Sequence, residues 1–338
     1  IEGINVFDGK TYCLPHSTSK RTGTMLLYNN DYLQEAGYDP TNEQMTWEDY
    51  RAAAKKVTEN GAGSYYGVIL GGNQLGRWGA VVGDLARTAG RSFVGDTIDH
   101  LDLLTGEYLF ATDEYIAAME LLLAMNDDGS FFPGYLSINA PQARAQIAQG
   151  AAGMILQGLW CLPQWKAENP DFNWNTAHIP VADPANMSPL HVSTATGNEM
   201  WLYSGSEYPE ISADIMQYWV SLDGQYAWNR VAGVSDPGYN PQAMSTASED
   251  PRELKALEVQ SQLFRVGPSP LIRNQDVALV SAELKSVTPN FNEVIQGLMA
   301  GQLTDVKKEF QDLLERSSAE LDRAIKAAQD KGANVSRD

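Results

Sequence analysis

Amphipathic helical stretches and single short apolar strands take turns along the whole of this 338-residue chain, and that alternation limits the fold more than any other feature. Strands are predicted at 25–28, 66–70, 152–156, 175–180 and 199–203, and a strand, turn and strand at 4–15 with Asp8 and Gly9 as the hairpin pair. Helices are predicted at 30–36, closed by Gly37, and from a Thr46 cap to Gly61, with Tyr50, Ala53, Ala54 and Val57 on one face. Further helices are expected at 113–125, 141–149 and 209–222, the last with Ile211, Ile215, Trp219 and Leu222 inward. A terminal helix over 305–328 carries Val306, Phe310, Leu313, Leu314, Leu321 and Ile325 on one stripe. Such a pattern is that of an α/β protein. With no repeat of 20–50 residues and no Pro/Gly/Ser-rich linker, two lobes would have to be joined by several chain crossings rather than by one tether.

Charge removes whole classes of partner. The chain has 24 Lys and Arg against 43 Asp and Glu, a net charge of −19, so its mean field repels phosphate backbones and anionic lipid, and nucleic acid is not an expected partner. The longest uncharged stretch, 145–165, is broken by Gln, Gly and Pro and is no membrane span. The chain opens at Ile1 without an initiator Met, a basic segment or an apolar one, so any targeting signal is expected upstream of it.

Reactive constellations are equally sparse. Cys13 and Cys161 lack CxxC spacing, leaving buried free thiols or one disulfide open. His16, His100, His178 and His191 are far apart, and Asp96, Asp99 and Asp102 have the wrong spacing for a calcium loop, so no metal is expected. Residues 71–76 hold glycines after a strand but not in GxGxxG order, and the phosphate-cradling, nucleophile-elbow and HExxH patterns are absent. Neither a cofactor nor a catalytic residue is assigned. Paired carboxylates for glycoside chemistry stay open only because acids are abundant.

Several segments resemble the family 1 extracellular solute-binding proteins, the sugar-binding components of ABC importers related to the maltose-binding protein. Residues 8–15, DGKTYCLP, resemble that family's DGK-x-Y-x-LP strand, and 27–37, LYNNDYLQEAG, its LYYNKDLFEEAG segment. Residues 46–50, TWEDY, resemble TW[DE]EL and are followed by AAKKVT at 53–58. Residues 149–154 and 158–160 resemble FxxGKAAMxxxGxW, with Ala151 in place of the usual Lys. Ile179-Pro180, Thr196-Gly197-Asn198 and the helix ending at 297–302 complete an order that agrees from about residue 5 to 330. Cys13 and Asn198 depart from the family's usual small residues.

This resemblance implies a two-lobed periplasmic-binding-protein-like α/β fold of type II, its lobes joined by crossing hinge strands. It implies an incomplete N-terminal lobe, because family members carry further strands and helices ahead of the DGK strand. The lobes would be 1–18 plus 236–294 and 19–235 plus 295–338. It further implies an extracytoplasmic monomer, periplasmic or lipid-anchored, that captures a sugar by hinge closure and passes it unchanged to permease subunits in the membrane.

A sugar site needs flat apolar faces against C–H groups and planar polar groups against hydroxyls. Trp160 is the leading candidate, with Gly158 letting a ligand approach the backbone. Trp78, Asn73 and Gln74 belong to the glycine-rich segment, against the alternative of a structural turn. Thr18, Ser19 and Arg21 follow the first strands, and Gly197, Asn198, Glu199 and Tyr239 would line the other lobe. Trp47 and Trp219 have the spacing of packing residues. Lys20 and Arg21, conspicuous on so acidic a chain, open the alternative of an anionic ligand such as a uronate or a glycerol phosphate. A carbohydrate hydrolase or lyase is the competing class. A receptor that presents the ligand to a membrane sensor differs from a transport protein only in its partner.

Overall fold

The computed structural model describes residues 5–17, 24–90, 100–102, 105–186, 190–193, 199–267 and 270–337. The expected hairpin forms between β1 (Val6–Phe7) and β2 (Lys10–Thr11), which pair antiparallel. Asp8 and Gly9 both take positive φ, 52° and 71°, as a two-residue hairpin turn of primed type demands. The chain continues into β3 (Cys13–Pro15).

The next elements build the principal unit. In chain order they are β4 (Met25–Asn29), α1 (Asn30–Glu35), α2 (Trp47–Gly61), β5 (Tyr66–Val68) and α3 (Gly76–Thr88). There follow β6 (Leu101–Asp102), β7 (Glu107–Tyr108), α4 (Asp113–Asp127), α5 (Ala140–Ala148), β8 (Ala152–Gln157), α6 (Leu162–Glu168) and β9 (Trp174–Ala177). Four strands form one sheet in the order β5-β8-β4-β9. β4 runs antiparallel to β8 and β9, whereas β5 is parallel to β8. The carboxyl ends of β5, β8 and β9 therefore share one edge of the sheet with the amino end of β4.

Local chemistry explains the elements. The Thr46 hydroxyl accepts from Asp49 N at 3.0 Å while the Asp49 carboxylate accepts from Thr46 N at 2.9 Å, a reciprocal cap that starts α2. Asn139 and Gln142 cap α5 in the same way. The predicted strand at 66–70 passes so close to α2 that a Cβ at Gly67 would lie 2.1 Å from the Ala54 carbonyl oxygen. Leu26, Leu27, Tyr28, Ile155 and Leu156 fill the sheet's interior, as a strand set buried on both faces requires.

The remaining chain is β10 (Leu190–Ser193), β11 (Glu199–Trp201), α7 (Pro209–Val220), α8 (Leu222–Ala232), α9 (Pro241–Met244), α10 (Pro251–Leu263) and β12 (Phe264–Gly267). It ends with α11 (Pro270–Arg273), α12 (Val277–Glu283), α13 (Phe291–Met299) and α14 (Val306–Asp330). β11 pairs antiparallel with β3, and the Trp219 indole N–H of α7 donates to the His16 carbonyl at 2.9 Å. Residues 199–220 are thus attached to the first strands. α13 packs against α3 and α4, with Phe291, Val294, Ile295 and Leu298 buried. β10 and β12 form a separate parallel pair. α14 returns along α4, α12 and α13, burying Phe310, Leu313 and Leu321 as its stripe predicts.

One helix departs from expectation. α7 ends at Val220, so the predicted Leu222 opens α8 instead; α7 buries none of its side chains, and Ile211 and Ile215 are 58% and 60% exposed. Only Trp219 of its apolar face is tucked in, stacked on the His16 ring at 4.6 Å.

Candidate functional site

Open α/β sheets bind ligands outside the carboxyl ends of their strands. At that edge of this molecule, β8 ends at Gln157 and the chain turns through Gly158 into a single helical turn, Leu159–Cys161, that carries Trp160. The same turn touches the turn at Gly233–Ser235 that follows α8, so it lies where the principal unit meets the second one. A cavity of about 170 Å³ beside it is lined by Leu162, Lys166, Asn229, Ser235 and Glu253. Across it the Lys166 ammonium reaches the buried Glu253 carboxylate at 2.5 Å.

Trp160 is half-buried and packed on the core. A Cβ at Gly158 would stand 2.3 Å from its ring. The missing side chain at 158 therefore makes room for the Trp160 indole itself. Arg77, from the first turns of α3, holds its guanidinium carbon 6.0 Å from the Trp160 ring centroid, within reach of a cation–π attraction. Burial pulls the Arg77 pKa below its ordinary value against the raising effect of Asp84. An arginine stays charged through such a shift, so a buried cation stands beside the aromatic face.

Cys161 follows on the same turn. Burial pushes its thiol up to about 12, although Arg144 and Arg77 pull the other way. A neutral, enclosed thiol is no nucleophile. Both cysteines are free and buried. Among the described residues no group of three or more His, Cys, Asp or Glu side chains is arranged to hold a metal.

The glycine-rich segment does structural work. Gly72 N donates to Tyr135 O at 2.9 Å and Asn73 N to Ile138 O at 3.0 Å, and a Cβ at Gly71 would sit 2.3 Å from Ala140 N. Trp78 is fully buried, its indole N–H donating to Gly72 O at 3.0 Å and its ring edge-on to Tyr135. It is a core residue, contrary to the cleft-facing placement expected of it, because α3 turns that side of the helix into the protein. The Asn73 and Gln74 side chains are exposed, and Gln74 Oε1 accepts from Ala140 N at 3.3 Å, which ties it to the start of α5.

The second unit holds the other candidates. Glu199 is half-buried on β11 opposite Pro15, and its charge helps burial raise the Cys13 thiol. Tyr239 donates its hydroxyl to Val220 O at 3.0 Å and its N–H to Gln225 Oε1 at 3.0 Å, so its polar atoms tie the end of α7 and the first turn of α8 to the segment ahead of α9. Thr18, Ser19, Arg21, Gly197 and Asn198 lie outside the described residues, as do Lys20, Asp96 and Asp99. The structure brings Gly158, Trp160 and Arg77 together, and Gln157 directly precedes them at the end of β8. Arg77 and Gln157 escaped the sequence reading, since a single Arg and a single Gln carry no motif; only the turn geometry gathers them.

The profile of a family described as bacterial extracellular solute-binding protein matches residues 2–252. The chain is 22% identical over 329 residues to the sn-glycerol-3-phosphate-binding periplasmic protein UgpB of Agrobacterium fabrum, covering 94% of this chain and 68% of that one. Among solved structures it is similar to an ABC transporter solute-binding protein from Thermotoga lettingae bound with α-D-tagatose, with a TM-score of 0.66 and 18% identity over 94% of this chain and 74% of that one. It is likewise similar to the sugar-binding protein MalE of Xanthomonas citri, with a TM-score of 0.63 and 16% identity over 97% and 75% of the two chains.

Proposed function

We propose, for a chain that belongs to the bacterial extracellular solute-binding protein family, that it captures a sugar or short oligosaccharide at the Trp160 edge and releases it unchanged. The observation that carries this reading is the half-buried Trp160 at the carboxyl edge of the sheet, seated in the space left by Gly158, packed on the core and flanked by Arg77. A fixed aromatic face meets the C–H surface of a pyranose ring, and its restricted motion lowers the entropy lost on binding. One lobe of this reading is built on the four-stranded sheet with α13 and α14, and the other on β3, β11, α7 and α8. β10 and β12 cross between them, and closure of the lobes encloses the ligand. The partner is the permease of an ABC importer, met outside the cytoplasm. No described helix is long and apolar enough to cross a membrane.

A second reading is an anionic ligand, a glycerol phosphate or a uronate. Buried Arg77 favours it, as a guanidinium pairs well with phosphate and carboxylate, and so does the similarity to a glycerol-3-phosphate-binding relative.

Thermal shift against maltose, maltotriose, tagatose, glucuronate and glycerol 3-phosphate tests both. A ligand at a hundred times its Kd raises stability by about 2.7 kcal/mol, well within detection. A sugar that raises the midpoint and is recovered intact supports the first reading, and glycerol 3-phosphate or glucuronate alone supports the second. Consumption of the sugar would put the protein among the enzymes.

A further inference from the structure

Gln157 ends β8 in register with Met25, and its side chain is almost wholly enclosed, at 1% exposure. Neither its amide oxygen nor its amide nitrogen has a hydrogen-bond partner among the described residues. Thr112 and Ser130 each carry one buried hydroxyl in the same condition, whereas Gln157 leaves a donor and an acceptor side by side. Interiors rarely tolerate this, because an enclosed polar group without a partner forfeits the hydrogen bonds it had in water. An apolar side chain of the same length would remove the cost. An amide enclosed without a partner at the carboxyl edge of the sheet, three residues ahead of Trp160, has the form of stability traded for function.

We propose that Gln157 is a specificity-determining residue of the Trp160 site, its amide receiving a neighbouring donor and acceptor from the ligand. A vicinal diol of a sugar supplies that pair, one hydroxyl accepting from the amide N–H and the next donating to the amide oxygen. Trp160 then holds the ring, while Gln157 tells a ring with that diol from one without it. The inference rests on the sugar reading above and adds to it the group that the site inspects.

The test compares the wild-type chain with Gln157→Met and Gln157→Glu. It measures the melting midpoint without ligand, and the affinity for maltose, maltotriose, tagatose and 2-deoxyglucose by calorimetry. Gln157→Met is expected to melt at or above the wild-type midpoint, to lose about tenfold in affinity for the sugar that binds wild type best, and to discriminate less against 2-deoxyglucose. Gln157→Glu keeps the shape, buries a charge without a partner, and is expected to melt below both. A Gln157→Met chain that melts lower than wild type overturns the proposal, since the amide would then be satisfied within the protein. So does one that binds with unchanged affinity and selectivity. If wild type binds none of the sugars, the sugar reading fails, and with it the diol; the ligand-free midpoints still report whether the amide is vacant.

Discussion

The four-stranded unit and the β3–β11 unit treat equally apolar sequences in opposite ways. In the first, Leu26, Leu27, Tyr28, Trp78 and Phe310 are fully enclosed, and α2, α5 and α13 all begin with reciprocal caps. In the second, Trp201, Tyr203, Tyr208, Ile211, Ile215 and Tyr218 stand more than half exposed, and α7 starts without a side-chain cap. Both carry the periodicity of an amphipathic helix or strand. The difference teaches that periodicity marks a face that can be buried, whereas burial itself depends on what else the fold brings against it.

The sharpest way to break this comparison is to truncate one large side chain in each unit. Trp78→Ala empties a closed site and loses the bond to Gly72, so it is expected to cost about 3–5 kcal/mol in denaturant unfolding. Ile215→Ala removes a side chain already in water and should stay within about 0.5 kcal/mol. Comparable losses at the two positions would mean that α7 is covered in solution.

His100 sharpens the contrast through pH. It sits among Phe110, Tyr115 and Phe291, with Nδ1 2.8 Å from the Tyr115 hydroxyl, and burial followed by the Arg87 charge lowers its pKa to about 3. The unfolded chain binds a proton near pH 6.5 and the folded one does not until about pH 3, so protons favour unfolding throughout that window. Stability should be full above pH 6.5 and fall as pH drops toward 3. Urea titrations at several pH values should show a flatter slope for His100→Gln than for wild type.

Smaller effects separate site from scaffold. Thr46→Ala removes the α2 cap and should cost about 1 kcal/mol. Trp160→Ala should cost less stability than Trp78→Ala while abolishing most of the binding seen by calorimetry, because its ring is only partly buried against the core. A loss as large as that of Trp78→Ala would assign it to packing. The exposed Arg51–Asp128 pair, joined at 2.6 and 3.1 Å, comes last: Arg51→Ala should change stability by less than about 1 kcal/mol, and less again in high salt.

Much of the fold is legible before any coordinates. The Asp8-Gly9 hairpin, the Thr46 cap, the strand at 152–157 and the terminal helix all follow from interactions between residues close in sequence. The site is legible only in part. Trp160 stands out by its motif, yet the same aromatic logic applied to Trp78 fails, since an indole at a helix start has no local signal that says which way the helix will face. Gly158 was legible as a glycine that makes room, but not for whom.

What the chain alone determined is therefore the α/β alternation, the helix starts set by capping residues, and a net charge of −19. Those properties depend on neighbours a few residues apart or on sums over the whole sequence. Tertiary structure alone decided that residues 199–220 join the first strands, that α7 keeps its apolar face in water, and that Arg77 comes to rest beside Trp160 with Gln157 enclosed nearby. Each of these is settled by which faces the whole fold brings together or leaves uncovered, and a competition of that kind has no local signature.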